Sequence, residues 1–250
     1  MITDLLLSGA MAVAAGLVGC FAVLRRMTLA ADALSHVALP GIGLALALHV
    51  HPLFGAVAML GFGALTVWAL EHQSRLSTET IIGVVFSVAL AVGSLMTSGE
   101  QLVDALFGGA APLGWIEALA GVAIAVAVSV FLVLQRHRLV VALVSPDLAR
   151  TAQVDPQRLN LLYLQAFAIT VALGLRYLGV LLMGSLIIIP AATAKRLARN
   201  LSEMLVIAAA IAVVITLAGT VVAAWLQREP GPIIVILGGL VFLASLARPR

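Results

Sequence analysis

The chain has 250 residues, 63% of them hydrophobic and 10% charged, with a formal net charge of +3. Soluble domains carry about 25% charged residues, so this composition excludes a soluble globular protein and predicts an all-α, polytopic membrane protein whose helices face lipid. The apolar runs are continuous over about 20 residues, which excludes an alternating β-barrel pattern, and the basic residues are scattered singly between them, so no nucleic-acid partner is expected.

In chain order the apolar runs fall at Leu5–Leu24, Thr28–Leu48, Leu53–Leu70, Thr80–Thr97, Trp115–Leu134, Leu159–Leu175, Leu178–Ala194, Met204–Ala224 and Ile233–Ala247. They predict eight or nine transmembrane helices in a single domain over residues 1–250. The sixth and seventh runs are divided only by Arg176-Tyr177, and Pro190 in the seventh suggests a broken or re-entrant segment. With the N-terminus outside, all but Arg176 and Arg228 of the 14 Lys and Arg residues fall on the inner face. That asymmetry predicts an N-out, C-in arrangement.

The first run contains Leu17-Val18-Gly19-Cys20, which looks like a lipoprotein cleavage site. Asp4 precedes the run and Arg25-Arg26 follow it, the reverse of a signal peptide's charge order. The run is therefore expected to stay as a helix. Cys20 is the single cysteine, so there is neither an intrachain disulfide nor a cysteine zinc cage, and it is expected to pack as a small apolar residue.

The second run carries the most informative residues. Asp32 and His36 sit four apart in an otherwise apolar stretch, and an ionised Asp at a helix centre costs about 2.5–3.5 kcal/mol on an insertion scale. The i,i+4 spacing puts both on one helix face. Carboxylate oxygen plus imidazole nitrogen is half of a divalent-metal site. Pro40 has no N–H, so the His36 carbonyl loses its normal helical partner, and Gly41 and Gly43 permit bending and close helix approach. Water or a second copy of the helix would supply further ligands. An incomplete shell suits a transport site, which must release its ion. The alternatives are a proton relay, since His titrates near neutral pH, and a hydrogen-bonded pair that only specifies packing.

Beyond this helix, His49 and His51 lie at the outer mouth, where they either collect an incoming cation or simply occupy a polar turn before Pro52. Ser98 to Gly114 is a Gly-rich outer segment. On the inner face, Gln135 to Arg158 forms the longest connection, a coupling segment over about 135–158. Within it Ser145, Pro146, Asp147, Leu148, Ala149 and Arg150 read as a short helix: Ser145 caps it, Pro146 fits the first position and Asp147 complements the positive end. Asp155-Pro156 restarts a helix by the same logic. Such a segment suits a grip for a soluble motor subunit, or an ordinary interfacial connector.

No Gly-x-x-x-x-Gly-Lys-Ser/Thr occurs, so the chain itself is not expected to hydrolyse nucleotide. His-Glu-x-x-His and Gly-x-Ser-x-Gly are also absent, and the chain is read as a non-enzyme. Import of a chelated metal such as a siderophore or haem is a rival, but such cargo calls for a cavity lined by aromatics and Arg, and aromatic content is only 5%. A carrier coupled to an ion gradient, working without a motor, is another rival.

Several blocks resemble one family: Arg25-Arg26-Met27, Ala31-Asp32-Ala33-Leu34-Ser35-His36, Leu39-Pro40-Gly41, Ile82-Gly83 with Phe86, Leu106-Phe107-Gly108, Ser145-Pro146-Asp147-Leu148-Ala149 and Ile187-Ile188-Ile189-Pro190-Ala191-Ala192-Thr193-Ala194. In this order they are similar to the permease subunits of bacterial zinc/manganese ABC importers. The resemblance implies a homodimeric or paired permease in the bacterial cytoplasmic (inner) membrane. It also implies a cytoplasmic ATP-binding subunit, an extracytoplasmic metal-binding receptor and no permanently bound cofactor. The cargo would be Zn2+ or Mn2+, with Fe2+ also compatible, moved by alternating access. By the same resemblance the metal site falls on Asp32 and His36, and the ATPase contact on Ser145 to Ala152. Two positions depart from the family pattern: Gln153 stands where Gly is common, and Gln101 where an acidic residue is common, with Glu100 and Asp104 nearby.

Overall fold

The computed structural model describes residues 2–74, 76–96 and 114–247, and all regular structure among them is helical. In chain order the helices are α1 (Ile2–Leu24), α2 (Thr28–His36), α3 (Ala38–Ala47), α4 (Pro52–Gln73), α5 (Thr78–Met96), α6 (Trp115–Val144), α7 (Pro146–Thr151), α8 (Pro156–Leu197), α9 (Leu201–Leu226) and α10 (Pro230–Leu246). Six stretches among the described residues are long and apolar enough to cross a membrane, and Ala31–Ala47 and Pro230–Leu246 are shorter apolar helices. The Gly-rich outer segment, with Glu100, Gln101, Asp104 and Leu106-Phe107-Gly108, lies outside the described residues.

Local sequence sets the helix boundaries. Pro52, Pro156 and Pro230 occupy first-turn positions, where a missing N–H costs nothing and the fixed φ helps. Asp155 caps α8 by accepting from the backbone N–H groups of Gln157 (3.0 Å) and Arg158 (3.3 Å). Asn200 caps α9 through Glu203 N–H at 2.9 Å, while Glu203 Oε2 accepts from Arg199 N–H at 2.9 Å. This reciprocal pair satisfies two donors at the exposed helix start.

Helix α1 is the central post. Its buried face is built from small residues, and α8 and α9 close on it at backbone distance. A Cβ at Gly16 would stand 2.8 Å from the Ala208 carbonyl oxygen, and one at Gly19 would collide with the Ile187 carbonyl. Without water in the hydrocarbon region, such close packing is a main source of association between helices. Cys20 is buried here, its Sγ 3.6 Å from the Met204 carbonyl oxygen, as expected of a packing residue.

Helix α8 is not a straight rod. Tyr163 Oη donates to the Val18 carbonyl at 3.1 Å, while Gly19, the next residue of α1, lies against Ile187. In a straight helix Tyr163 and Ile187 would stand about 36 Å apart. Gly174 also abuts Met183, nine residues on and on the opposite face of an ideal helix. The run therefore doubles back into two arms, residues 156–175 and 182–197. This matches the division at Arg176-Tyr177. The second arm stays helical across Pro190, so the break suggested there does not occur; Thr193 Oγ1 donates to the Ile189 carbonyl at 2.8 Å beside it.

Two further expectations need correction. The single helix over Thr28–Leu48 is two helices, interrupted at Val37. The cause is Pro40, whose ring clashes with the carbonyl four residues back at His36. Helix α2 ends there, and Pro40 falls in the first turn of α3. The inner connection is also less open than a loop over Gln135 to Arg158. Helix α6 continues to Val144, because no Gly or Pro interrupts the sequence before Pro146.

Candidate functional site

Asp32 and His36 are one turn apart on α2, and three neighbours position that helix. Behind it is Gly184 on the second arm of α8: a Cβ there would lie 2.8 Å from both the Cα and the backbone nitrogen of Asp32. Asp32 Cβ would be 3.1 Å from it, so glycine lets α2 settle directly on α8 at Asp32, a residue that is nonetheless exposed. Within α2, Ser35 Oγ donates to the Asp32 carbonyl at 2.6 Å. Beside it, the Phe86 ring of α5 lies 5.4 Å from the His36 ring, tilted by 58°.

His36 is half-buried, and its Nδ1 is buried with no hydrogen-bond partner among the described residues. A buried polar atom left unpaired costs about 1–3 kcal/mol, so this nitrogen calls for a donor, an acceptor or a cation that the described residues of one copy do not provide. No group of three or more His, Cys, Asp or Glu side chains placed to hold a metal occurs among the described residues. Among the described residues one copy therefore presents two candidate donors, Asp32 and His36, with Asp32 exposed.

Pro40 and Gly41 frame the end of this site toward α3. Leu39 and Pro40 pack on Gly93 of α5, where a Cβ would be 2.9 Å from Leu39 Cβ and 3.2 Å from Pro40 Cδ. Gly41 and Gly55 meet face to face, each leaving no room for a Cβ against the other's carbonyl. The break at Val37 is thus locked on both flanks, by α5 and by α4.

The histidines at the α3–α4 turn are not drawn into this site. His49 follows α3 in the left-handed region, φ 56°, and both side chains are exposed. His51 is the N-cap of α4: its Nδ1 accepts from Leu53 N–H at 3.2 Å, and its ring lies 6.2 Å from Phe54. Its geometry is that of a turn residue with one ring nitrogen occupied.

The coupling segment takes the expected form. Pro146–Thr151 is helical, the Ser145 carbonyl accepts from Ala149 N–H at 3.1 Å, and Arg150 pairs with Asp147 at 3.4 Å. The bend after α7 comes from Gln153 at φ 56°. Val154 N–H returns to the Ala149 carbonyl (2.9 Å) and Gln153 N–H to that of Arg150 (3.0 Å), the two bonds of a Schellman C-cap. Gln153 adopts the conformation for which glycine is usual. The residues that sequence reasoning missed are Gly184 and Phe86 in its role against His36. The only signal for Gly184 was a small residue in a long apolar run.

Comparison with known proteins places this geometry in context. The ABC 3 transport family profile matches residues 1–249. The high-affinity zinc uptake system membrane protein ZnuB of Haemophilus influenzae is 29% identical over 234 residues, covering 91% of this chain and 89% of that protein. The manganese import system permease protein ScaB of Streptococcus gordonii is 28% identical over 241 residues, 93% of this chain and 85% of its own length. The chelated iron transport system membrane protein YfeD of Yersinia pestis is 30% identical over 238 residues, 94% and 80% respectively. Among solved structures, PsaBC from Streptococcus pneumoniae in complex with Fab superposes with a TM-score of 0.83 at 24% identity, covering 97% of this chain and 89% of that one.

Proposed function

Because this chain belongs to the ABC 3 transport family, we propose that it is the membrane permease of an ATP-driven importer that carries a divalent metal ion, Zn2+ or Mn2+, across the bacterial cytoplasmic membrane on Asp32 and His36. The observation that carries the site is the pairing on α2 of an exposed carboxylate with an imidazole whose Nδ1 is buried and has no partner among the described residues. Two donors are too few for a metal, and a second copy of the permease facing the first would bring the set to two carboxylates and two imidazoles. That is a four-coordinate N/O shell suited to Zn2+ and acceptable to Mn2+.

The mechanism follows from that arrangement. An extracytoplasmic receptor delivers the ion to a path between the two copies. There Asp32 and His36 replace part of its hydration shell near mid-membrane, and binding stays weak enough for release. A cytoplasmic ATP-binding subunit grips α7, and its closure switches the path from outward-open to inward-open. Helix α7 is joined to α8 by the Gln153 bend, and the second arm of α8 supports Asp32 through Gly184. The chain is thus continuous from the motor contact to the metal ligands. No bond of the cargo is made or broken, and nucleotide hydrolysis resides on the partner chain. The compact Asp–His pair favours a bare ion over chelated iron, whose cargo would need a wider, aromatic-lined cavity. The N-out, C-in arrangement with nine crossings, two of them the arms of α8, belongs to the same reading.

Uptake of radioactive Zn2+ and Mn2+ by cells tests the site. Asp32→Ala or His36→Ala is expected to lower uptake at least tenfold, with permease levels in the membrane unchanged. Normal uptake by both variants at normal protein levels sinks the assignment.

A further inference from the structure

A second polar site stands apart from α2. The C-terminal ends of α1, α4 and α6 meet α7 and the N-terminal end of α8 around a cavity of about 320 Å3. All these ends lie on one side of the bundle, so the cavity sits where the helices leave the apolar layer. One wall is polar and includes Arg25, Glu71, Arg150 and Asn160; the facing wall on α6 is apolar, with Leu139 and Leu143.

The hydrogen bonds inside the cavity leave a specific gap. The Arg25 guanidinium lies 5.2 Å over the Tyr163 ring, a contact that uses its face and leaves the in-plane N–H groups to find acceptors. Its Nη1 is buried and has no acceptor among the described residues. Glu71, the carboxylate in the same cavity, is already engaged. Its Oε1 accepts from Thr78 Oγ1 at 2.5 Å and its Oε2 from Asn160 Nδ2 at 2.6 Å. Arg150 adds a second guanidinium to the rim; its side chain is 63% exposed, and its pair with the exposed Asp147 at 3.4 Å leaves further N–H groups to donate. The Arg25 guanidinium thus stands beside a carboxylate whose two oxygens each already accept one bond, opposite an aliphatic wall; Asn160 Oδ1 is a further buried atom with no partner among the described residues. The donor left without an acceptor among the described residues is Arg25 Nη1, and an anion that carries hydrocarbon would supply one while covering the aliphatic wall.

We propose that this cavity binds an anionic phospholipid of the cytoplasmic leaflet, its phosphate accepting from Arg25 Nη1 and Arg150 while the start of an acyl chain lies along Leu139 and Leu143. Basic pockets between transmembrane helices at the cytoplasmic level are suited to such headgroups, and charge-assisted guanidinium–phosphate bonds are among the stronger ones. A free phosphate would satisfy the arginines but leave the apolar wall without purpose. This inference goes beyond the transport reading and does not depend on the assignment of Asp32 and His36. It does place a lipid against Arg150, at the joint where the motor is expected to act.

The test uses the full-length permease, purified in mild detergent with mixtures of phosphatidylglycerol and phosphatidylcholine and examined by native mass spectrometry. The wild-type protein is expected to retain about one phosphatidylglycerol per copy after phosphatidylcholine has washed away. Arg25→Gln should weaken that retention about tenfold, Arg25→Lys less, and Arg150→Gln severalfold. Arg150 is exposed, so its variant keeps the test valid should Arg25→Gln fail to fold. Equal retention of the two lipids, or wild-type retention by the Gln variants, overturns the proposal. Displacement by millimolar inorganic phosphate would identify a free-phosphate site and also overturn it. So would variants that keep the lipid but lose co-purification with the ATP-binding subunit, which would mark the cavity as a protein dock.

Discussion

At the scale of single residues, the proposed site rests on one glycine as much as on its two proposed ligands. Asp32 sits where it does because Gly184 lets the backbone of α2 lie against α8. A methyl group at position 184 has to push α2 away, and overpacking of this kind costs about 1–3 kcal/mol. Gly184→Ala is therefore expected to lower the thermal midpoint of the purified permease and to cut metal uptake severalfold by displacing Asp32. Wild-type uptake and midpoint together would contradict the close approach. Asp32 and His36 were legible from sequence because charge inside an apolar run is rare and costly. Gly184 was not, because a glycine's role depends on which backbone comes to meet it. That partner lies 152 positions away in the chain.

At the scale of helices, proline and capping chemistry was readable wherever it acts locally. Asp155-Pro156 opens α8 with the Asp155 carboxylate as its cap, and Ser145-Pro146 opens α7 with proline at its first position. Pro40 acted more strongly than its missing hydrogen bond alone suggests: it ended α2 at His36, placing the imidazole at a helix terminus next to the break. Pro190 did not break its helix, because the reversal in α8 falls earlier and the second arm is held by packing on α1. Long-range packing of this kind leaves no local signature. The joint between α7 and α8 allows a direct check. A non-glycine residue in the left-handed region costs about 1–2 kcal/mol, offset in part by the chain entropy that glycine loses on folding. Gln153→Gly should stabilise the purified protein by about 0.5–1 kcal/mol, whereas Gln153→Val should destabilise it, both read from denaturation midpoints. A Gly variant less stable than wild type would show that the Gln153 side chain makes a contact worth more than the strain.

At the scale of the whole molecule, composition alone fixed the class: 63% hydrophobic residues leave only a helical bundle in lipid. What composition could not supply is how the arms of α8 fold onto α1, or that the proposed metal site is open on the Asp32 side among the described residues. Orientation is tested by cysteine labelling, since the single native Cys20 is buried and gives a low background. With N-out, C-in topology, Gln227→Cys should react with a membrane-impermeant maleimide in intact cells, and Arg199→Cys only after permeabilisation; the opposite pattern would invert the bundle. The openness of the site leads to the most direct measurement of all, the amount of Zn2+ bound by the purified two-copy permease at equilibrium, with and without its ligands. The account predicts about one ion per pair of copies, lost when either Asp32 or His36 is replaced by Ala. An ion retained undiminished by the Asp32→Ala, His36→Ala double variant would contradict it.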